Sequence, residues 1–168
     1  KSTVAAYVGE NGLERRAHGL YMAKEAWPDA LYVLQVRYPK AVFSHETALY
    51  LLGAAEREPL RFSVTLEAGT NVAGLTKQGV RVHTIKKDLF EMGLSEAASP
   101  VGHTLRSYDM ERTICDLVRS RRCIEAQTLQ GAVKGYARSK TKNTPRLMRY
   151  AKALSIESVI RQYMEVLL

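Results

Sequence analysis

The hydrophobic period of this chain changes near Asp109, and that change restricts the fold more than any other feature. Before it, the clearest pattern is alternation. In Arg61-Phe-Ser-Val-Thr-Leu-Glu67, Phe62, Val64 and Leu66 fall on one side, and Arg61, Ser63, Thr65 and Glu67 on the other. A period of two is that of a strand with one face in the core and one in solvent. Val80-Arg-Val-His-Thr-Ile85 repeats the pattern, Val101 to Tyr108 supplies another strand after the Ser99-Pro100 turn, and Ala41-Val-Phe43 is a shorter one. Beyond Asp109, which stands as an N-cap, the spacing is helical. Met110, Ile114, Leu117 and Val118 form one face, and further helices are expected over 124–137, 143–154 and 156–168. Pro145 is tolerated in the first turn of the second of these. A helix is also expected over 30–38, stopped by Pro39 because a residue before proline avoids the α region. Another is expected over 45–52, capped by Ser44 and ended by Gly53. The fold class is therefore α+β: a mixed α/β domain with an α-helical C-terminal third.

A different pattern precedes this domain. Apolar residues at 4, 5 and 8 mark a helix face, with Ser2 or Thr3 to cap its start and Gly9 or Gly12 to end it. Leu13 and Leu20 then flank a basic, glycine-containing bend. Helix, glycine turn and two-stranded wing are the closing elements of a winged helix-turn-helix. In such a unit the helix N-terminus reads the major groove while wing cations meet phosphates. Lys1, Ser2, Thr3 and Tyr7 would then be the readers, and Arg15, Arg16 and His18 the wing contacts. An ordinary helix–hairpin packing unit fits the same residues. A winged helix has two further helices ahead of its recognition helix, and these are expected upstream of Lys1. Residues 1–24 thus form a remnant, joined by a linker near Lys24–Asp29 to a main domain at 30–168.

The 168 residues give room for one sizeable core, or for one domain and a small partner. No apolar run approaches the ~18 residues that span a bilayer, so no membrane association is expected. Cys115 and Cys123 do not make a disulfide framework, which makes a reducing cytoplasm the default compartment. Net charge is +8 and unevenly placed: Arg119, Arg121, Arg122, Lys134, Arg138, Lys140, Lys142, Arg146, Arg149 and Lys152 are offset between 119 and 152 by Glu125 alone. Such a block suits a polyanion partner, whether DNA, RNA, a nucleotide or an acidic protein surface, and also suits a solvated basic face with no partner.

Chemical motifs are sparse. Ser44-His45-Glu46 has triad residue types, but successive residues at a helix start point about 100° apart and do not converge. Capping by Ser44 and a core hydrogen bond for His45 account for them better. His18, His45, His83 and His103 are scattered, and the two cysteines lack paired-ligand spacing, so no metal is expected. No P-loop or dinucleotide fingerprint occurs, and no cofactor is expected. A metal-dependent nuclease would need convergent carboxylates; Asp88, Glu91, Asp109, Glu111 and Asp116 are present, but no spacing singles out a two-metal set. Arg112 and Asp116 stand at i, i+4 and Asp116 and Arg119 at i, i+3, an Arg–Asp–Arg ladder able to fix its helix against the sheet.

Four blocks together resemble one family. Gly12-Leu-Glu-Arg-Arg-Ala-His-Gly-Leu-Tyr21, Tyr38-Pro-Lys-Ala-Val-Phe-Ser-His-Glu-Thr-Ala-Leu-Tyr50, Tyr108-Asp-Met-Glu-Arg-Thr-Ile-Cys-Asp-Leu117 and Ile160-Arg-Gln-Tyr-Met-Glu-Val-Leu-Leu168 are similar to those of the AbiEi antitoxins of bacterial abortive-infection toxin–antitoxin systems. The resemblance implies a non-enzymatic regulator. Its winged helix would bind inverted repeats in its own promoter, as a dimer on paired half-sites, and repress the operon. Its C-terminal domain would counter a nucleotidyltransferase-like toxin, in the type IV manner that needs no stable complex. A toxin-binding interaction module without DNA binding is the alternative within the same partnership.

Overall fold

The computed structural model describes residues 2–23 and 28–167. Residues 24–27, most of the expected linker, lie outside the described residues, as does Lys1. The chain runs α1 (Ser2–Glu10), β1 (Leu13–Ala17), β2 (Leu20–Ala23), α2 (Ala30–Arg37), β3 (Val42–Phe43), α3 (His45–Leu51), β4 (Ser63–Glu67), α4 (Ala73–Lys77), β5 (Arg81–Ile85), α5 (Lys87–Phe90), β6 (Leu94–Ala98), β7 (Thr104–Tyr108), α6 (Met110–Arg119), α7 (Ala126–Arg138), α8 (Thr144–Ala153) and α9 (Glu157–Leu167). The fold is α+β.

A five-stranded sheet in the order β5-β4-β3-β7-β6 forms the centre. β4 runs parallel to β5 from Ser63 opposite Arg81 to Glu67 opposite Ile85, with Thr65 opposite His83. β3 is antiparallel to β4 and parallel to β7, and β6 is antiparallel to β7. One face is covered by α2 and α4 through Leu31, Leu34, Phe43, Val64, Leu66, Leu75 and Leu105. The larger core lies on the other side, where Val42, Leu49 and Tyr108 meet Ile114, Leu117, Val118 and the apolar stripes of α7, α8 and α9.

This double cover corrects the expected orientation of β4. Ser63 and Thr65 were placed in solvent by their alternation, yet they are 0% and 2% exposed. The reason is α3, which lies over them. The Ser63 amide donates to Thr47 Oγ1 at 2.8 Å, and Thr65 Oγ1 donates to Ser44 Oγ at 2.8 Å. A polar strand face can be buried at little cost when its groups are paired in this way. Helix α5 and strand β6 had no counterpart in the sequence pattern. β6 is a mostly exposed edge strand with no alternation, held by its backbone pairing to β7.

Helix α6 is the hub. Glu111 to Val118 are all buried, and α3, α7, α8 and α9 pack around it. Asp109 caps it as expected, Oδ1 accepting from the Arg112 amide at 2.8 Å. Asn143 caps α8, with Pro145 in its first turn. Buried Glu111 Oε1 accepts from Tyr136 Oη at 3.2 Å and from the Asn143 amide at 3.0 Å, tying α6 to α7 and α8. At the opposite end, Asp29 caps α2 and also accepts from Ser99 Oγ and from His103 Nδ1 at 2.8 Å. Burial pushes the Asp29 carboxyl up, but the hydrogen bonds from Ser99 and His103 outweigh it and leave the group below the usual carboxylate range.

β1 and β2 form a separate antiparallel hairpin after α1, with an irregularity between Arg15 and Ala17. Gly12 and Gly19 supply the two positive-φ turns, at +60° and +75°. The hairpin meets the main domain where Arg37 Nη2 donates to the Arg16 carbonyl at 3.1 Å.

Candidate functional site

The helix–hairpin unit presents several of the residues expected to meet DNA. Ser2 opens α1, and Thr3 and Tyr7 are exposed along it, Tyr7 with 61% of its surface accessible beside Val4 at 59%. Arg15 and His18 are exposed near the hairpin turn, Arg15 Nη2 lying 2.9 Å from His18 Nδ1. An arginine can only donate, so His18 Nδ1 is the acceptor. Arg16 has a different role. Its guanidinium pairs with Glu14 at 3.0 Å and its carbonyl receives Arg37. Its side chain is nonetheless 37% exposed.

The ten expected cations run from the end of α6 to the end of α8. Arg121, Arg122, Lys134, Arg138, Lys140, Arg149 and Lys152 are exposed. Lys142 is committed to the end of α7, its Nζ donating to the Ala137 carbonyl at 2.6 Å. Arg146 Nη1 lies 3.8 Å from Asp109 Oδ2 and 3.7 Å from Glu111 Oε2. Arg121 and Lys134 line one cavity, between α7 and α9, and Arg119 lines another.

That cavity, about 260 Å³, is walled by His45, Thr65, His83, Thr84, Ile85, Arg112, Asp116, Arg119 and Ser120. Helix α3, strands β4 and β5 and helix α6 each contribute. Its geometry begins at Ser44, which does not cap α3 with its side chain. The Ser44 hydroxyl lies instead 3.0 Å from His45 Nδ1, and His45 Nε2 lies 3.1 Å from Ser120 Oγ. Ser44 and His45 converge after all because Ser44 is extended and His45, the first residue of α3, has a left-handed φ of +52°. Left-handed backbone at a non-glycine residue costs on the order of 1–3 kcal/mol and persists only when its surroundings enforce it. Here both ring nitrogens are bonded, and His83 stacks on the ring at 3.6 Å between centroids and 15° between planes. Glu46 does diverge, accepting from Arg81 at 2.8 Å.

Hydrogen-bond accounting assigns the direction of this chain. Thr65 donates to Ser44, Ser44 donates to His45 Nδ1, and His45 Nε2–H donates to Ser120 Oγ. This direction gives each hydroxyl proton an acceptor as far as His45. It makes His45 a donor to Ser120 rather than a base that activates it. Both histidines are neutral: burial lowers His45 well below its ordinary value, helped by His83, Arg112, Arg81 and Arg119, and burial also lowers His83 against the pull of Glu46.

Arg112 forms the floor. Its side chain is 0% exposed, and Nε donates to both oxygens of Asp116 at 3.1 Å. Nη1 donates to the carbonyls of Leu89 and Met92 at 2.5 and 2.6 Å, and the guanidinium lies 4.3 Å over the Tyr108 ring. One rung of the expected ladder is therefore made, and it clamps α6 to the α5–β6 segment. The other is not: Arg119 makes no ion pair with Asp116 among the described residues. Burial raises the Asp116 carboxyl, with Arg112 opposing. Two buried nitrogens lack partners here, Arg112 Nη2 and His83 Nε2.

The other candidate groups are committed elsewhere. Asp109 caps α6 and accepts from Tyr150 Oη at 3.0 Å, and Glu111 holds Tyr136 and Asn143. No group of three His, Cys, Asp or Glu is arranged to hold a metal among the described residues. Cys115 is a buried core thiol pushed up to about 12, first by burial and then by Asp116. No helix among the described residues is long and apolar enough to cross a membrane. His83, Thr65 and Ser120 were missed as site residues, since each is an isolated polar residue in its own element and only the pairing of β4 with β5 under α3 and α6 assembles them.

No protein-family model and no curated protein matches the sequence. Among solved structures, the fold is similar to that of the Rv2827c protein from Mycobacterium tuberculosis, with a TM-score of 0.63 over 95% of this chain at 15% identity. The chain spans 65% of that protein's resolved length. At this identity the likeness extends to the fold.

Proposed function

We propose that this chain is a DNA-binding autorepressor and antitoxin of the AbiEi kind, with residues 2–23 serving as the recognition helix and wing of a winged helix-turn-helix. The observation that carries this is the order and exposure of α1, the Gly12 turn and the β1–β2 hairpin. A surface helix with Thr3, Val4 and Tyr7 uncovered leads directly into a hairpin that carries exposed Arg15 on β1 and His18 in its turn. Groove-reading helices and phosphate-binding wings need that juxtaposition of exposed side chains and cations. Arg15 and His18 meet phosphate, Thr3 and Tyr7 meet base edges, and Arg16 keeps the hairpin against α2. The main domain at 28–167 counters a nucleotidyltransferase-like toxin, and dimers bind inverted repeats in the promoter.

The test is binding of the full-length protein to its own promoter duplex and to a scrambled duplex across a salt series. Promoter-specific binding is expected, and R15Q is expected to reduce the log–log salt slope by about 0.9, the value for one lost phosphate contact. Equal binding to both duplexes, or a slope that R15Q does not change, would overturn the assignment. Co-expression with the toxin tests the second half: a chain carrying R15Q should lose repression and still rescue growth.

A further inference from the structure

The cavity between α3, β4, β5 and α6 has no part in DNA reading, yet its wall is specialised. The hydroxyl relay from Thr65 through Ser44 and His45 ends on Ser120 Oγ as an acceptor, which frees the Ser120 proton to point into the cavity. Arg112 is wholly buried with Nε and Nη1 engaged, and Nη2 still has hydrogens without an acceptor. His83 Nε2 is also unpartnered. Arg119 lines the same space and is exposed at the surface. Unpartnered nitrogens therefore lie on β5 and in the middle of α6, and Arg119 adds a cation at the end of α6. A buried charged donor without an acceptor is costly, and a bound oxygen would relieve it.

Charge points the same way. Asp116 is the one carboxylate on the wall, and both its oxygens already accept from Arg112. That pair cancels and leaves Arg119 as the net charge, with Arg81 and Glu46 paired to each other nearby. A cation would find its carboxylate already paired with Arg112, whereas an anion with several oxygens would find the Arg119 charge and the unpartnered Arg112 nitrogen. The volume of about 260 Å³ lies below the ~300–1,000 Å³ of sites that enclose a drug-sized ligand, so the cavity suits a small group with water around it.

We propose that this cavity binds a phosphate or phosphomonoester group, held by Arg112, Arg119, Ser120 and His83. Two sources share that chemistry, a free or mononucleotide phosphate and the 5′-phosphate of a nucleic-acid end. The inference stands apart from the DNA-binding assignment, because none of these residues belongs to α1 or the hairpin.

The experiment is calorimetric titration of the full-length protein with inorganic phosphate, a nucleoside 5′-monophosphate, and one oligonucleotide with and without a 5′-phosphate. Saturable binding of at least one phosphorylated probe is expected, tighter than about 1 mM. R119Q should weaken it at least tenfold and S120A several-fold. Arg119 is exposed and unpaired with Asp116, so R119Q should fold normally, and an unchanged unliganded melting temperature verifies this. Binding confined to the small probes identifies the first source, and a preference for the 5′-phosphorylated oligonucleotide over its 5′-hydroxyl form identifies the second. Either supports the proposal. No saturable binding of any phosphorylated probe, or binding unchanged in both R119Q and S120A, overturns it.

Discussion

The hairpin and the α6 cavity both present arginines, and the arginines are held in opposite ways. Arg15 is exposed on β1, with His18 of the hairpin turn beside it. Arg112 is wholly buried, bonded to Asp116 and to two backbone carbonyls from a segment some twenty residues earlier. Removing an exposed cation changes what the surface attracts and scarcely alters the fold. Removing a buried one leaves its partners without compensation. The comparison separates two kinds of polar residue that look alike in sequence: those left exposed at the surface and those that hold the protein together while lining a cavity.

The largest effect that would break this contrast is R112A. It leaves Asp116 buried without its counter-charge and the Leu89 and Met92 carbonyls without donors. A loss of about 3–5 kcal/mol is expected, measured as a shift in urea midpoint. The double variant R112M/D116L should regain part of it, because replacing both partners removes the unpaired charge while the Leu89 and Met92 carbonyls stay without donors. A loss under about 1 kcal/mol in R112A would remove the clamp from the account.

G93A is next. Gly93 has φ +80°, and an added Cβ would lie 2.6 Å from Arg112 Cβ and 3.2 Å from Asp109 Oδ1. Both the backbone and the clamp would be disturbed, at a cost of about 1–3 kcal/mol by thermal or chemical melting. Adding the same methyl at Gly19 meets nothing within 4 Å and strains only the hairpin turn, so its effect should be confined there.

Acidification gives a smaller and more selective effect. His45 and His83 have folded pKa values below the ordinary 6.5. The unfolded chain then takes up protons that the folded one refuses, so these residues lower stability as pH falls through about 6.5. Burial raises Asp109 and Asp116, whose folded forms bind protons more readily, so they act in the opposite direction. Comparing H83Q with the parent isolates the histidine part: the fall in melting temperature from pH 7 to pH 5 should be shallower in the variant. An unchanged slope would mean that His83 does not enter the cavity neutral.

How much of this was legible follows from what a local pattern can report. The change of period at Asp109, its cap on α6 and the i, i+4 pair of Arg112 with Asp116 are all local, and all hold. The predicted rung to Arg119 is absent among the described residues, where Asp116 pairs with Arg112. The buried face of β4 could not be read from alternation, since Ser63 and Thr65 find partners on α3 that lie about twenty residues away. Strand β6 carries no side-chain signal because backbone pairing to β7 defines it. The left-handed His45 and the cavity itself depend on contacts spanning residues 44 to 120, beyond the reach of any periodicity.

The central claim is that DNA is met at the hairpin, and fluorescence anisotropy with the native promoter duplex tests it most directly. R15Q should change unfolding free energy by no more than about 0.5 kcal/mol, the range of ordinary surface substitutions. It should nonetheless weaken promoter binding and reduce the salt slope by about 0.9, while R57Q, a cation removed from an exposed loop elsewhere, leaves both unchanged. Promoter affinity and slope that are the same in R15Q, R57Q and the parent would contradict the account.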